Sequence, residues 1–170
     1  MKSFTDINGQ TWTLVVNVAT VKRVRALCGV DINGIVEMGE DGKPDIGLLK
    51  RLESDPVLLV DVLYAVCKPE CDAKGMTDEQ FGAAMAGDAV EGATAALLDE
   101  IVDFFPAAKR MAFQKILKAT RRFAEVAKTR LEQTLGAPQF EDRLVSELER
   151  LTGLSGDAPQ SSESTPTPSL

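Results

Sequence analysis

The sequence predicts an α+β fold that is mostly helical: an N-terminal β-hairpin followed by a helical bundle with a disordered C-terminal tail. An Asn-Gly pair near the N terminus separates two short stretches rich in β-branched and aromatic residues, which is typical of a hairpin. Apolar residues then recur at spacings of three and four, as they do in amphipathic helices. The final segment, 155–170, contains 11 Ser, Thr, Pro or Gly residues and too few apolar residues to offset the entropy of folding.

The composition limits the size and the surface chemistry of the domain. The chain has 170 residues, of which 44% are hydrophobic, and this is enough for one domain with a buried core. We predict a globular domain over residues 1–136, a helical arm over 137–154 and a disordered tail over 155–170. The net charge of -7 disfavours binding of nucleic acid or an anionic membrane by the whole surface. The longest apolar segment, Val57–Cys67, is too short to span a membrane.

Histidine is absent from the sequence, so every catalytic or metal site that depends on histidine is excluded from this chain. Cys28, Cys67 and Cys71 are an odd number of cysteines in a chain with its own core, which indicates a reducing, cytoplasmic compartment. The pair Cys67 and Cys71 lacks the spacing of a zinc or thioredoxin motif, so we interpret it as structural. These observations favour a protein that is not an enzyme and needs no metal or cofactor.

The predicted hairpin is centred on Asn8-Gly9, and its register stays open. A strict two-residue loop places Thr5 opposite Trp12. A longer loop aligns Phe4 with Leu14 on one face of the hairpin.

A helix is predicted after the hairpin, between a capping residue and a glycine. Asn17 can accept hydrogen bonds from the first amides of this helix, and Gly29 can end it. Asp31-Ile32-Asn33-Gly34 predicts a second turn, and Glu37 to Pro44 is interpreted as a loop because it is rich in Gly and Pro. A short helix over Ile46–Leu52 should follow.

The most apolar segment predicts the central helix of the bundle. Asp55-Pro56 is typical of an N-cap followed by proline in the first helical position. Val57–Cys67 is apolar on nearly every side, so we expect other elements to contact it all round, with Asp61 pointing outward or meeting a basic side chain. Pro69 is expected to end this helix because it lacks an amide proton.

Two further helices are predicted before Pro106. Thr77-Asp78-Glu79-Gln80 has the spacing of a capping box and should open a short helix, Asp78–Met85. Asp88 is expected to cap the next helix, whose apolar residues fall on one side. Its acidic residues are interpreted as one solvated face: Asp88, Glu91, Asp99, Glu100 and Asp103.

A long helix is predicted over Ala107–Leu135, where Gly136-Ala137-Pro138 stops it, and a last amphipathic helix, Phe140–Leu151, follows. The long helix carries the strongest charge asymmetry of the chain. Between Lys109 and Arg130 eight basic residues stand against a single acid, Glu125.

This basic helix has three interpretations. It can pack an apolar stripe on the core and neutralise the acidic helix before it; that stripe is Phe113, Leu117, Thr120, Ala124, Ala127 and Leu131. Alternatively, a cationic and apolar surface can dock an acidic or amphipathic helix of another protein; the candidate residues are Lys109, Arg110, Met111, Lys115, Lys118, Arg121, Arg122 and Phe123. Binding of nucleic acid is the weakest interpretation, because the acidic background repels phosphate.

Three strings, in order along the chain, resemble one protein family. ESDPVLLVDVLYAVCKPE (Glu53–Glu70), MTDEQFG (Met76–Gly82) and LLDEIVDFFP (Leu97–Pro106) resemble the tail assembly chaperones of long-tailed bacteriophages. The resemblance covers about Glu53 to Pro106, and its motifs are apolar and capping patterns.

The resemblance implies a protein that binds the long helical tape measure protein in the host cell cytoplasm, keeps it from aggregating and recruits tail tube subunits, the major tail protein, to it. It implies neither catalysis nor a membrane. A structural minor tail or neck protein of the virion is the first alternative. A nucleic-acid-binding regulator that uses the basic helix is the second.

Overall fold

The computed structural model describes residues 1–152, so the predicted disordered tail lies outside the described residues. Within residues 1–152, two pairs of antiparallel strands and seven α-helices follow one another, which confirms the mostly helical α+β fold. Contacts divide the chain into two compact units, Met1–Lys118 and Ala119–Leu170. The predicted domain limit at residue 136 stays a prediction.

The elements lie in the following order. The first unit contains β1 (Lys2–Thr5), β2 (Thr11–Leu14), α1 (Val18–Cys28), a 3-10 turn (Ile32–Gly34), β3 (Glu37–Met38), β4 (Pro44–Asp45), α2 (Gly47–Ser54), α3 (Pro56–Lys74), α4 (Asp78–Ala83) and α5 (Asp88–Phe104). α6 (Ala107–Leu135) begins in the first unit and ends in the second, and α7 (Pro138–Thr152) follows it. The predicted loop over residues 37–44 is wrong in one respect, because β3 and β4 pair there.

The N-terminal hairpin forms as predicted, and of the two registers left open the one with the longer loop is confirmed. Phe4 pairs with Trp12, and Thr5 pairs with Thr11, so the loop has five residues and Thr5 is not opposite Trp12. Phe4 and Leu14 lie on one face of the hairpin together with Trp12, and all three are buried because alternate residues of both strands point to the core.

A buried aspartate explains the observed register. Oδ1 of Asp6 accepts hydrogen bonds from the amides of Asn8 and Gln10 at 2.9 and 3.0 Å, and Oδ2 accepts from Nε1 of Trp12 at 2.9 Å. Gly9 adopts a φ of 80°, which favours glycine. The Asp6 carboxylate thus holds the whole loop and fixes the indole of Trp12 at the same time.

The predicted helix caps are confirmed at three helices. The side chain of Asn17 accepts from the amide of Thr20, and Gly29 ends α1 with a φ of 66°. Asp55 accepts from the first two amides of α3 after Pro56. A complete capping box opens α4, with both reciprocal hydrogen bonds present.

The start of α5 differs from the prediction. The N-cap position is Gly87, and Asp88 is the first helical residue, so the prediction that Asp88 caps the helix is wrong. Gly87 has a φ of 53°, a conformation that favours glycine over aspartate at this position. The preceding helix, α4, ends at Ala83, two residues before the predicted Met85.

α3 does not end at Pro69 as predicted but continues to Lys74. A proline inside a helix leaves the carbonyl of the fourth residue before it without its amide donor. That carbonyl belongs to Ala65, and Nε of Arg23 in α1 donates to it, while Nη2 of Arg23 donates to the carbonyl of Val66 at 3.1 Å. A side chain from a neighbouring helix therefore supplies the hydrogen bond that Pro69 removes.

The core of the first unit is built around α3, which packs against α1, α2, α4, α5 and β2, as predicted. The ring of Phe81 lies 5.1 Å from that of Trp12 and 5.7 Å from that of Tyr64, measured between centroids. Leu63, on the same helix as Tyr64, is fully buried. Val57, in the first turn of α3, is an exception and is 70% exposed.

Candidate partner-binding surface

The first turns of α6 are anchored on the end of α5. Phe105 and Phe113 contact each other edge to face, with ring centroids 4.8 Å apart, and both are buried together with Leu117. Nε of Arg110 donates to the carbonyl of Phe105 at 3.2 Å, and Nζ of Lys109 lies 5.9 Å from the Phe105 ring. Lys109 and Arg110 thus engage the end of α5.

Three of the predicted site residues share an exposed face of α6 in the first unit. Met111, Lys115 and Lys118 follow each other at spacings of four and three, which places them on one side of a helix, and all three are exposed. Helical geometry places Met111 roughly 160° from the buried Phe113. We call Met111, Lys115 and Lys118 the basic face; it presents an apolar side chain, 62% exposed, beside two cations.

The remaining predicted site residues, Arg121, Arg122 and Phe123, belong to the second unit and are all exposed. Consecutive residues point in directions about 100° apart, so these three do not share one face of the helix. Phe123, which is 78% exposed, instead shares a side with Ala127 and Leu131. The structure therefore does not arrange the eight predicted residues as one surface, because a run of 15 helical positions covers every side of a helix.

The prediction that the long apolar stripe of α6 packs on the core is correct only at its start. Phe113 and Leu117 are buried and Thr120 is half-buried, whereas Ala124, Ala127 and Leu131 are exposed. The last buried residue, Leu117, directly precedes the end of the first unit at Lys118. Among the side chains described from residue 119 onward, none is fully buried.

The part of α6 in the second unit carries an exposed apolar stripe of its own. Phe123, Ala127, Leu131 and Leu135 recur every four residues and drift slowly around one side of the helix. Leu131 is 58% exposed and Leu135 is 50% exposed. We call these four residues the α6 stripe.

α7 carries a second exposed apolar stripe, which is not among the predicted binding residues. Leu144, Leu148 and Leu151 lie at spacings of four and three, and they are 47%, 56% and 72% exposed. We call them the α7 stripe. The spacing of these leucines is visible in the sequence, and an apolar stripe on an otherwise polar helix is typical of a helix that packs against another surface.

The predicted acidic face of α5 contains one residue that is not solvated. Glu100 is buried, and its carboxylate accepts hydrogen bonds from the backbone amides of Lys2 at 3.0 Å and Val16 at 3.4 Å. The amino group of Met1 lies 3.3 Å from Oε2 of Glu100. The carboxylate therefore ties α5 to both ends of the hairpin, and interpreting Glu100 as part of a solvent face is wrong.

The cysteines lie in and beside the core. Cys67 and Cys71 are buried on α3, and burial raises the pKa of the Cys67 thiol to about 12. Burial also raises the pKa of Cys71 and of the half-buried Cys28, whose thiol donates to the carbonyl of Asp61. A raised pKa keeps a thiol protonated and unreactive near neutral pH. Cys67 is not the last residue of its helix, contrary to prediction, because α3 continues beyond it.

A shallow groove of about 330 Å³ lies beside α3 and α4. Its lining residues include Val57, Val60 and Tyr64 from α3 and Met85 after α4. Asp61 lies at this groove with an exposed side chain, which confirms that it points outward.

Two kinds of feature are not found in the part of the chain that the structure describes. No group of three or more His, Cys, Asp or Glu residues within residues 1–152 is arranged to hold a metal ion. No helix within the same residues is long and apolar enough to cross a membrane.

Comparison with known proteins identifies no relative. No family model, no curated protein and no solved structure matches the chain.

Proposed function

We propose that this protein is a phage tail assembly chaperone that binds the tape measure protein and recruits tail tube subunits to it. The observation that carries the proposal is the exposure of apolar side chains along both helices of the second unit. Six of them, each about half exposed or more, form the larger part of the α6 and α7 stripes: Phe123, Leu131, Leu135, Leu144, Leu148 and Leu151.

The spacing of these side chains selects the kind of partner. Apolar residues three and four positions apart on a helix fit the matching ridge of another amphipathic helix. A long helical client, such as a tape measure protein, presents many such ridges. Covering them during assembly would keep the client from aggregating, which is the role that the family resemblance implies.

The basic face supplies a second contact of different chemistry. Lys115 and Lys118 place two cations beside the apolar Met111, so an acidic, amphipathic segment is the partner that fits. We assign the basic face to the recruited tail tube subunit and the two stripes to the tape measure protein. The basic face and the two stripes consist of different residues, so each can be altered and tested alone.

Co-expression with the tape measure protein encoded by the same phage tests the proposal. The full chain should keep the tape measure protein soluble and co-purify with it. Leu144→Ser/Leu148→Ser/Leu151→Ser should abolish both effects. A matched variant with three serines elsewhere on α7, Gln139→Ser/Asp142→Ser/Glu149→Ser, should behave as the unmodified chain does.

Two results would contradict this assignment. In one, the solubility of the tape measure protein does not depend on the chain at all. In the other, the protein is a stoichiometric component of purified virions by mass spectrometry, and the alternative of a structural tail or neck protein is then correct.

A further inference from the structure

We propose that residues 119–152, which we call the arm from here on, pair with the arm of a second copy of this chain, with the α6 stripe of each copy packed on the α7 stripe of the other. Within residues 1–152 both stripes are exposed, with Leu131 58% exposed and Leu148 56% exposed. Exposed apolar side chains grouped on one surface of a soluble protein commonly mark an interaction site. A second copy is a partner that is present wherever the protein is made.

The charges beside the two stripes are complementary. Helical geometry places Lys128 and Arg130 roughly 80° from the centre of the α6 stripe, one on each side. The same geometry places Glu141 and Glu147 roughly 50° to 70° from the centre of the α7 stripe, again one on each side. All four side chains are exposed.

Each stripe is therefore an apolar ridge between two charges, and the signs are opposite on the two helices. Packing one stripe on the other brings a cation to an anion along both edges of the contact. Packing like stripes, α6 on α6 or α7 on α7, would bring equal charges together. The flanking charges thus select the α6-to-α7 pairing.

An exposed ion pair already involves one of these groups. Nη2 of Arg150 lies 2.6 Å from Oε1 of Glu147, with both side chains more than half exposed. Exposed pairs of this kind contribute little free energy, so Glu147 can exchange Arg150 for a cation of the second copy at small cost.

Symmetry doubles the contact. When two copies are related by a two-fold axis, the α6 stripe of the first meets the α7 stripe of the second, and the reverse contact is identical. The helices of two arms then form a four-helix contact. A short isolated helix such as α7 is only marginally stable in water, and this packing would stabilise it.

The inference does not depend on the proposed function. If the stripes also bind the tape measure protein, the second copy and the client compete for one surface. The client would then displace the partner copy. Charge reversal beside the stripes affects the pairing, whereas replacing the leucines affects both, so the two proposals can fail separately.

Sedimentation equilibrium of the full chain tests the pairing. We expect a reversible monomer–dimer equilibrium for the unmodified chain. Glu141→Lys/Glu147→Lys places four cations around the contact and should raise the dissociation constant at least about tenfold. The matched control, Asp142→Lys/Glu149→Lys, makes the same change in net charge on the opposite side of α7 and should change the constant less than about threefold.

Restoring the opposite signs should restore the dimer. Adding Lys128→Glu/Arg130→Glu to the Glu141→Lys/Glu147→Lys variant exchanges the charges on both helices and should return the dissociation constant to within about threefold of the original. A chain that stays monomeric throughout would overturn the inference and would indicate that the arm folds back on itself or remains uncovered. Equal effects of the test and control variants would overturn it as well.

Discussion

The two units of this protein use the same residue types in opposite ways. Phe81 is fully buried in the first unit, whereas Phe123 is 78% exposed in the second. Leu63 and Leu148 differ in the same manner, at 0% and 56% exposed. All four residues lie on helices. The comparison shows that the spacing of apolar residues predicts a helix and its apolar side. It does not predict whether other parts of the same chain pack against that side.

The largest contrast is expected between two phenylalanine substitutions. Phe81→Ala should lower the free energy of unfolding by about 3–5 kcal/mol, because it opens a cavity between the rings of Trp12 and Tyr64. Phe123→Ala should change it by less than about 0.5 kcal/mol, because that ring is 78% exposed. Trp12, the single tryptophan and fully buried, reports unfolding of the first unit by its fluorescence in urea.

Equal losses for Phe81→Ala and Phe123→Ala would contradict the contrast between the units. A loss near zero for Phe81→Ala alone would mean that the core is not centred on that residue.

A smaller effect is expected at the proline of α3. Arg23→Ala should cost about 1–3 kcal/mol, because it leaves the carbonyl of Ala65 without a donor and removes a second hydrogen bond to that of Val66. In a Pro69→Ala background the same substitution should cost less, since an alanine amide can again bond to Ala65. Urea unfolding of the four chains of this double-mutant cycle measures the coupling.

The control for Arg23 is a second arginine of the same helix. Arg25 forms an exposed ion pair with Asp31, so Arg25→Ala should cost less than about 1 kcal/mol. If Arg23→Ala costs no more than Arg25→Ala, the helix tolerates Pro69 for another reason.

The buried thiol of Cys67 makes a pH-dependent contribution. Its pKa is raised to about 12 in the fold from an ordinary value of 9.0, so between these values the unfolded chain holds fewer protons than the folded one. Stability from this group is complete below pH 9 and falls as the pH rises, by up to about 1.4 kcal/mol per pH unit. The stability difference between the unmodified chain and Cys67→Ala should shrink accordingly above pH 9.

The half-buried Cys28 provides the comparison for the alkaline effect. Burial also raises the pKa of Cys28, but this thiol is only half-buried, so Cys28→Ala should alter the pH dependence less than Cys67→Ala does. Identical alkaline slopes for Cys67→Ala and the unmodified chain, measured by urea unfolding, would rule out this contribution.

The smallest effect on stability is expected from the variant that should matter most for binding. Leu144→Ser/Leu148→Ser/Leu151→Ser should shift the Trp12 unfolding transition by less than about 0.5 kcal/mol, because the three leucines are exposed and lie in the second unit. A large destabilisation of the first unit would show that the arm contributes to its core.

Local signals in the sequence were sufficient for most elements. Asn17, Asp55 and Thr77 cap helices through backbone amides two or three residues away, so their roles can be predicted from neighbouring letters alone. α6 and α7 were predicted from local signals as well, namely the spacing of their apolar residues and the break at Gly136.

Two of the failures depend on residues that are remote in sequence. α3 passes through Pro69 because Arg23, more than 40 residues earlier, donates to the carbonyl that Pro69 leaves without an amide donor. Glu100 is buried because its carboxylate accepts hydrogen bonds from two backbone amides at the ends of the hairpin. The hairpin register has a local cause instead: Asp6 uses its side chain to hold the five-residue loop, which the Asn-Gly pair alone does not indicate.

The candidate site was predicted in part for a related reason. Sequence alone identifies the cations of α6 and its exposed apolar positions Met111 and Phe123, both of which are exposed in the structure. It does not tell where packing against the first unit stops. Leu117 is the last buried residue of α6, so the α6 and α7 stripes stay exposed beyond it. The composition of the helix does not indicate where this burial ends.

Amide hydrogen exchange tests most directly whether residues 119–152 are the client-binding surface. The full chain is measured alone, at a concentration at which it is monomeric, and bound to the tape measure protein. We expect the amides of α7 and of residues 119–135 to become more protected when the tape measure protein binds, while those of α3 and α5 stay as they were. Unchanged exchange over residues 119–152, with new protection confined to residues 1–118, would show that the client binds elsewhere.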